Sequence, residues 1–240
     1  ETGAIAYTTK DASDLAETNN PFLSSTVSYD DSSDSTKVGV LGAFVGNNIE
    51  GLIQLTRRDT RERKLHNQVE IAPNRMSGES NSVLAKFKFL LNESFDLTFT
   101  ADIQEWKNDW NLETEAGFSF FPTPTQTSSA LGTDESSRHR YSIELGFNNS
   151  NIFFDEGRIT AFAQNTEQDQ ITDKSKLIFE MGMRARPTPY SEYQNFQFNQ
   201  EIFGITSEFY KEIVNQSGVR HQIVYGIEYE SIDVERPRYR

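Results

Sequence analysis

The chain has 240 residues, 35% hydrophobic content, no cysteine and a formal net charge of −13. The absence of cysteine excludes a disulfide scaffold, a zinc–thiolate centre and a cysteine nucleophile. An acidic chain with a pI near 4.7 also lacks the basic footprint that nucleic acid requires, so nucleic acid is not expected as a partner. A mean hydropathy of −0.63 is low for a compact soluble core, but it suits a sheet in which every second residue faces water. No apolar run is long enough for a transmembrane helix; a membrane-spanning strand needs only ~10 residues, half of them polar.

In chain order, Ala4 to Tyr7 reads as a short apolar strand, followed by a polar link ending at Asn20-Pro21. The N-terminus has neither the basic nor the apolar region of a signal peptide. An exported protein would have lost one, or the chain is an internal piece of something longer. Phe22 to Tyr29 is a strand and Asp30 to Ser35 a charged turn. Lys37 to Arg58 is the clearest unit: two strands joined at Gly46-Asn47-Asn48, residues that tolerate the positive φ of a tight turn. Its second arm sets Ile49, Gly51, Ile53 and Leu55 against Glu50, Gln54 and Thr56, the period of two of a half-wetted strand.

A long polar loop is expected from Thr60 to Asn81, a strand over Ser82 to Leu91, a turn at Asn92 to Ser94 and a strand over Phe95 to Gln104. A second long loop, Glu105 to Ser137, holds Trp106, Trp110, Phe118, Phe120 and Phe121. Arg138 to Phe147 alternates again, Asn148 to Glu156 turns, Gly157 to Gln164 is a strand with a further continuation left open, and a third long polar loop is expected from Asn165. Around residue 180 the alternation of Leu177, Phe179, Met181 and Met183 with Lys176, Glu180 and Arg184 suggests a hairpin reaching beyond the main sheet. Glu201 to Ile213 has mixed facing and suggests a bulge. A turn at Asn215 to Gly218 leads into Val219 to Ile232, the longest clean alternation.

Short turns therefore alternate with long polar loops. That asymmetry is the pattern of a transmembrane β-barrel, and a soluble sandwich gives no reason for it. The fold class expected is all-β: an antiparallel transmembrane β-barrel, partial, with about nine strands of a larger one. The runner-up is a soluble all-β binding module, a sandwich or jelly roll recognising carbohydrate or protein. An enzyme is the least supported reading, since no nucleophile elbow, phosphate-cradling loop or set of convergent residues is present.

Three stretches resemble TonB-dependent outer-membrane receptors of the haem/haemoglobin branch. Gly3 to Asp11 with Ser13-Asp14-Leu15 is similar to the end of that family's plug. Ile53 to Asp59 resembles an early barrel strand entering an external loop, and His221 to Tyr229 with Glu235 to Arg238 resembles a later one. The resemblance implies that residues 1–20 end the plug and 21–240 form the first part of the barrel. It implies uptake of haem or haem-protein iron, or of a siderophore, across the bacterial outer membrane. Outer-membrane lipid would surround the barrel, and an inner-membrane complex would supply energy through TonB. No TonB box is present, and the motifs around the family's haem-ligating histidine would lie beyond Arg240. No enzymatic activity and no resident cofactor are expected, haem being cargo.

Candidate ligand contacts are His66, Trp106, Trp110, Phe120 and Phe121, with the alternative that the aromatics form an interfacial girdle or a loop core. His139 and His221 sit on strands, where packing is the simpler reading, and the three histidines have no metal-ligand spacing. Asp30, Asp31 and Asp34 follow no calcium-loop pattern. Glu228 and Glu230 share a strand face, which in a barrel would line the wet interior.

Overall fold

A computed structural model describes residues 9–64, 74–179, 186–214 and 219–239. The described residues form one antiparallel sheet of eleven strands that does not close on itself. Nine strands follow one another as neighbours: β1 (Phe22–Asp30), β2 (Ser35–Val45), β3 (Ile49–Arg61), β4 (Arg75–Asn92), β5 (Phe95–Asn111), β7 (Thr125–Asn148), β8 (Glu156–Ile178), β9 (Thr188–Val214) and β10 (Arg220–Glu235). Two short strands lie off this path, β6 (Gly117–Ser119) beside β7 and β11 (Arg238–Tyr239) beside β9. Short 3-10 turns occupy Ala12–Asp14 and Glu113–Glu115.

The expected turns at Gly46–Asn48 and Asn92–Ser94 join β2 to β3 and β4 to β5 at one end of the sheet, called the lower end here. The turn expected at Asn215 to Gly218 lies outside the described residues, as do Ala4 to Tyr7, Met181 and Met183. The long loops at the upper end prove shorter than the sequence suggested. β5 continues through Trp106 and Trp110 to Asn111, and β7 begins at Thr125 rather than Arg138. β4 begins at Arg75, well inside the first expected loop.

The loop expected from Asn165 is strand instead, β8 running on to Ile178, and the hairpin expected beyond the main sheet is joined there by a third strand. β8 and β9 stay paired up to Ile178 and Thr188, and β7 accompanies them to Thr125. The bulge expected within Glu201 to Ile213 is absent, since β8 and β9 keep one register throughout. Register shifts occur instead at Leu90/Asn92 and Thr127/Ser129.

The register assigns every side chain to a face. Phe22, Ala43, Leu52, Lys86, Thr100, Ser142, Phe162, Gly204 and Glu230 lie in one hydrogen-bonded row across β1 to β10. Phe22 opens β1 at its lower end, but Glu230 stands ten residues above Arg220, the lower end of β10. With the lower turns level, that stagger over eight pairings tilts the strands by about 40°, given ~3.3 Å per residue and ~4.8 Å between strands.

The two faces differ in crowding and chemistry. Every strand residue with a buried side chain (Ser35, Ala43, Leu52, Thr98, Ala130, Ser136 and Phe162) lies on the face of that row; side chains crowd on the inside of a curved sheet, and on this ground that face is called concave and the other convex. Apart from such buried residues, this face is mainly polar. The opposite, convex face carries the apolar positions: Ile53 and Leu55 on β3, Phe95 to Ile103 on β5, Tyr141 to Phe147 on β7, and Ile223 to Tyr229 on β10. They are open to solvent, Ile227 at 77% and Leu23 at 78%.

The 149–155 turn closes the lower end between β7 and β8. Asn151 Oδ1 accepts the amides of Phe153 and Phe154. Asp155 accepts from Lys211 Nζ at 2.8 Å, from the Ser150 hydroxyl and from the Glu212 amide at 2.8 Å. The Lys211 bond, then those from Ser150 and Glu212, hold the Asp155 carboxyl down to about 2 from an ordinary 3.8. A depressed carboxyl contributes stability that is present above its unfolded pKa and lost as pH falls through the folded one. Asp155→Asn is therefore expected to lower the unfolding midpoint at pH 7, and the difference from wild type should close between about pH 4 and pH 2. Denaturant titrations of both proteins across that range check it.

Candidate functional site

Three places on this frame carry chemistry. The first is the segment before β1. Asp11 and Asp14 form a capping box around the 3-10 turn, with the Asp11 amide donating to Asp14 Oδ2 at 2.8 Å. This presents Ala12 and Ala16 to Ala43 and Leu52, with Phe22, Leu41, Val45 and Leu84 around them. Lys86 Nζ donates to the Asp11 carboxylate, and the Asn19 amide donates to the Val45 carbonyl at 2.9 Å. All of these β-strand side chains belong to the concave face, so the segment lies on that face near its lower end. Sequence reading missed this dock. The small residues Ala12 and Ala16 at helical spacing, close to an acidic cap, were the available signal.

The second place is the concave wall. Trp106 pairs across the sheet with Ser80 and Ser136, and Trp110 with Met76 and Gly132, so both indoles lie on the concave face. Trp110 Nε1–H donates to Asp134 Oδ2 at 2.9 Å, and Leu112 covers Gly132 beside it. Below them the wall is charged. Arg138 meets Asp102 at 2.7 Å, Arg158 meets Glu208 at 3.3 Å, and the Arg140 guanidinium stands 4.2 Å over the Phe162 ring. A polar recess of about 410 Å³ is lined by Lys88, Asp96, Glu144, Arg158, Glu208 and Tyr210, among others. Glu228 and Glu230 share this face with them. The wall therefore offers both signs of charge to a polar occupant.

The third place is the upper loop. β6 pairs with β7 so that Phe118 stands opposite Gln126 and, through it, level with Leu177. Above the Thr127/Ser129 shift these are convex-face positions. The Phe118 ring meets Phe120 at 4.8 Å and Phe179 at 5.6 Å. Phe120 and Phe121 are 79% and 86% exposed. The candidate contacts are thus divided: Trp106 and Trp110 on the concave wall, Phe120 and Phe121 in the loop next to a convex-face ring. His66 lies outside the described residues.

His221 is exposed near the lower end of β10 and not packed as expected, whereas His139 is half-buried with its Nε2 out of solvent, 3.4 Å from Glu105; both occupy convex-face positions. The acidic turn is a clasp: Lys64 pairs with Asp31 at 2.8 Å and Asp34 at 3.1 Å, and Tyr29 donates to Asp34. The Asp31 bond, then Asp34, raises the Lys64 pKa. Among the described residues no group of acidic or histidine side chains could hold a metal ion.

On the convex face a belt of aromatic rings marks the lower end. Phe95 meets Phe147 at 5.7 Å, Phe154 stands between Phe147 and Phe209, and Phe209 stacks on Tyr225 at 5.5 Å. Above the apolar band the same face turns polar in one step, at Arg57, Asn81, Glu105, His139, Asn165, Glu201 and Ser231. No protein-family model matches the chain, and no curated protein matches it.

Proposed function

We propose that the chain is part of a bacterial outer-membrane TonB-dependent receptor that takes up haem or haem-protein iron, with a siderophore as the alternative cargo. The observation that carries the membrane reading is the exposed apolar band on the convex face. A soluble sandwich buries its apolar faces between two sheets, whereas here the polar face is the concave one. Nine residues of β5, Phe95 to Ile103, tilted by about 40°, give a band roughly 23 Å tall, close to the ~25 Å of outer-membrane barrels. The tilt itself falls in the 35–45° range of such barrels. The aromatic row at the lower rim resembles an interfacial girdle, and the connections after β3, β5 and β8 at the upper end are longer than the lower turns, the 31–34 turn being the exception.

In this reading residues 9–20 end the plug, held on the inner wall by Leu52 and Lys86. The lower end faces the periplasm and the upper end the outside. Trp106 and Trp110 offer indole faces to a flat ligand entering the interior, and the charged wall below them gives a wet path. Ligand release inward would follow movement of the plug drawn by TonB. The TonB and haem elements of the proposal rest on the resemblance of residues 3–11 with 13–15, 53–59, and 221–229 with 235–238 to that family.

The test uses the intact parent protein. Outer-membrane fractionation with migration that changes on boiling supports the barrel, and saturable haemin binding by that fraction supports the cargo. A soluble protein whose migration is unaltered by boiling overturns the proposal.

A further inference from the structure

We propose that a groove on the convex face over β8 holds one phospholipid, its chain in the apolar band and its ammonium head group at the polarity step, and that the occupant is phosphatidylethanolamine. The inference rests on the membrane part of the reading above, which places the convex face in lipid. It goes beyond that reading in assigning a lipid site that is separate from any cargo.

Shape is the first argument. On the convex side β8 carries alanine where its neighbours carry large side chains. Ala161 stands between Ile143 and Ile205, and Ala163 between Tyr141 and Phe203. Tyr141 and Phe203 project from the sheet at 51% and 49% exposure. β7 and β9 lie about 10 Å apart, two strand spacings, so a trough one strand wide runs between the two ridges. Its upper end opens into a recess of about 410 Å³, lined by His139, Tyr141, Asn165, Glu201, Phe203 and Asp233, among others. The trough is apolar below and polar above, which is the order of chain and head group in a single amphiphile.

Continuity is the second. The trough is part of the exposed apolar band, so the chain it holds is one of those that cover the band. A flat wall touches a lipid chain on one side only. Here the chain meets the alanine floor and both ridges, and the added dispersion contacts hold it in place. They do not choose among lipids, because the chains are alike.

Charge makes that choice. His139, Asn165, Glu201 and Asp233 stand side by side in one row at the step. Asn165 donates to Glu167 and His139 lies against Glu105. The Glu201 and Asp233 side chains, both exposed, make no ion pair or hydrogen bond among the described residues. No Lys or Arg stands on the convex side of β7 to β10 above the band. The phosphate of an anionic lipid would meet carboxylates here and no cation. The ethanolamine ammonium reaches past its own phosphate and brings three N–H donors to the two free carboxylates. A choline head group carries the charge without those donors.

The experiment uses the full receptor, extracted from outer membranes and delipidated in detergent. Dioleoyl phosphatidylethanolamine and dioleoyl phosphatidylglycerol are the probes, and native mass spectrometry counts the lipid retained. The wild type is expected to keep one phosphatidylethanolamine, bound about tenfold more tightly than phosphatidylglycerol. Ala163→Phe fills the trough from an exposed position and should abolish the retained lipid. Glu201→Gln combined with Asp233→Asn should keep a lipid and lose the preference. Unchanged heat-modifiable migration shows that the variants fold. Equal retention of the two lipids by the wild type overturns the inference and leaves the receptor reading standing, as does phosphatidylethanolamine that survives Ala163→Phe. A soluble parent protein whose migration is unaltered by boiling removes the receptor reading and this inference together.

Discussion

With the convex band facing lipid as proposed, Ile143→Arg is expected to destabilise the folded protein by about 2–4 kcal/mol, the cost of a cation on the lipid face of a barrel near the bilayer midplane. Ile143 lies on the convex face of β7, midway up the band between Tyr141 and Phe147, and is already 40% exposed. That exposure makes the substitution decisive. In a soluble protein, arginine at so open a strand position would change stability by no more than ~0.5 kcal/mol and would improve solubility. In a membrane the same side chain must leave water, and nothing on the convex face beside it supplies a carboxylate. The cross-strand neighbours of Ile143 are Phe99 and Ala161.

Glu135→Arg is the matched control. It lies on the same strand and face, eight residues higher, above the polarity step. Its loss removes one exposed pair with Lys107, worth ~0–1 kcal/mol. Urea unfolding of both variants in detergent micelles, read by the migration of unboiled samples, gives the comparison. Two near-neutral variants would mean that the convex band does not contact lipid.

The same polarity step explains how much of the fold the sequence revealed. Within the band one face is apolar and the other wet, so the period of two is strong, and β1, β4, β5, β7 and β10 are each legible there. Above it both faces are wet. Glu105, Lys107 and Asp109 on the convex face of β5 alternate with Trp106, Asn108 and Trp110 on the concave one. The contrast left on β5 is reversed, its indoles standing on the face that is polar below, and such segments read as loop although their backbones remain paired. The upper parts of β4 and β7 were lost for the same reason.

The candidate site was legible as residue types but not as a place. Trp106, Trp110, Phe120 and Phe121 are near in sequence, yet cross-strand pairing and the Thr127/Ser129 shift, neither visible in the sequence, separate the indoles from the phenylalanines. The pairing of Asp11 with Lys86 spans 75 residues, and local pattern carries no trace of it.

Leu52→Ala is expected to release residues 9–20 from the concave face without unfolding the sheet. Leu52 is only 2% exposed, and its neighbours in the cluster are Ala12, Ala16 and Ala43. Truncating a buried leucine costs about 2–5 kcal/mol, more where the site cannot collapse. Here the fully buried neighbours are already alanines, and only the half-buried Leu15, Phe22, Leu41, Val45 and Leu84 around them are large enough to fill part of the space. The loss falls mainly on the segment, because β3 keeps its full ladders to β2 and β4, while the segment is held by this cluster, the Asp11–Lys86 pair and a bridge at Thr18. Amide exchange reads it directly. The Ala16 and Asn19 amides, bonded to Ala12 and Val45, should exchange on the order of 30-fold to 1,000-fold faster, corresponding to about 2–4 kcal/mol, with β3 and β4 amides unchanged. Lys86→Gln should give a smaller change at the same amides, since its ion pair is part exposed. Equal acceleration in segment and sheet would show that the two unfold as one unit. In that case the segment would be an integral part of the sheet's fold, and a plug that moves apart from its barrel could not include it.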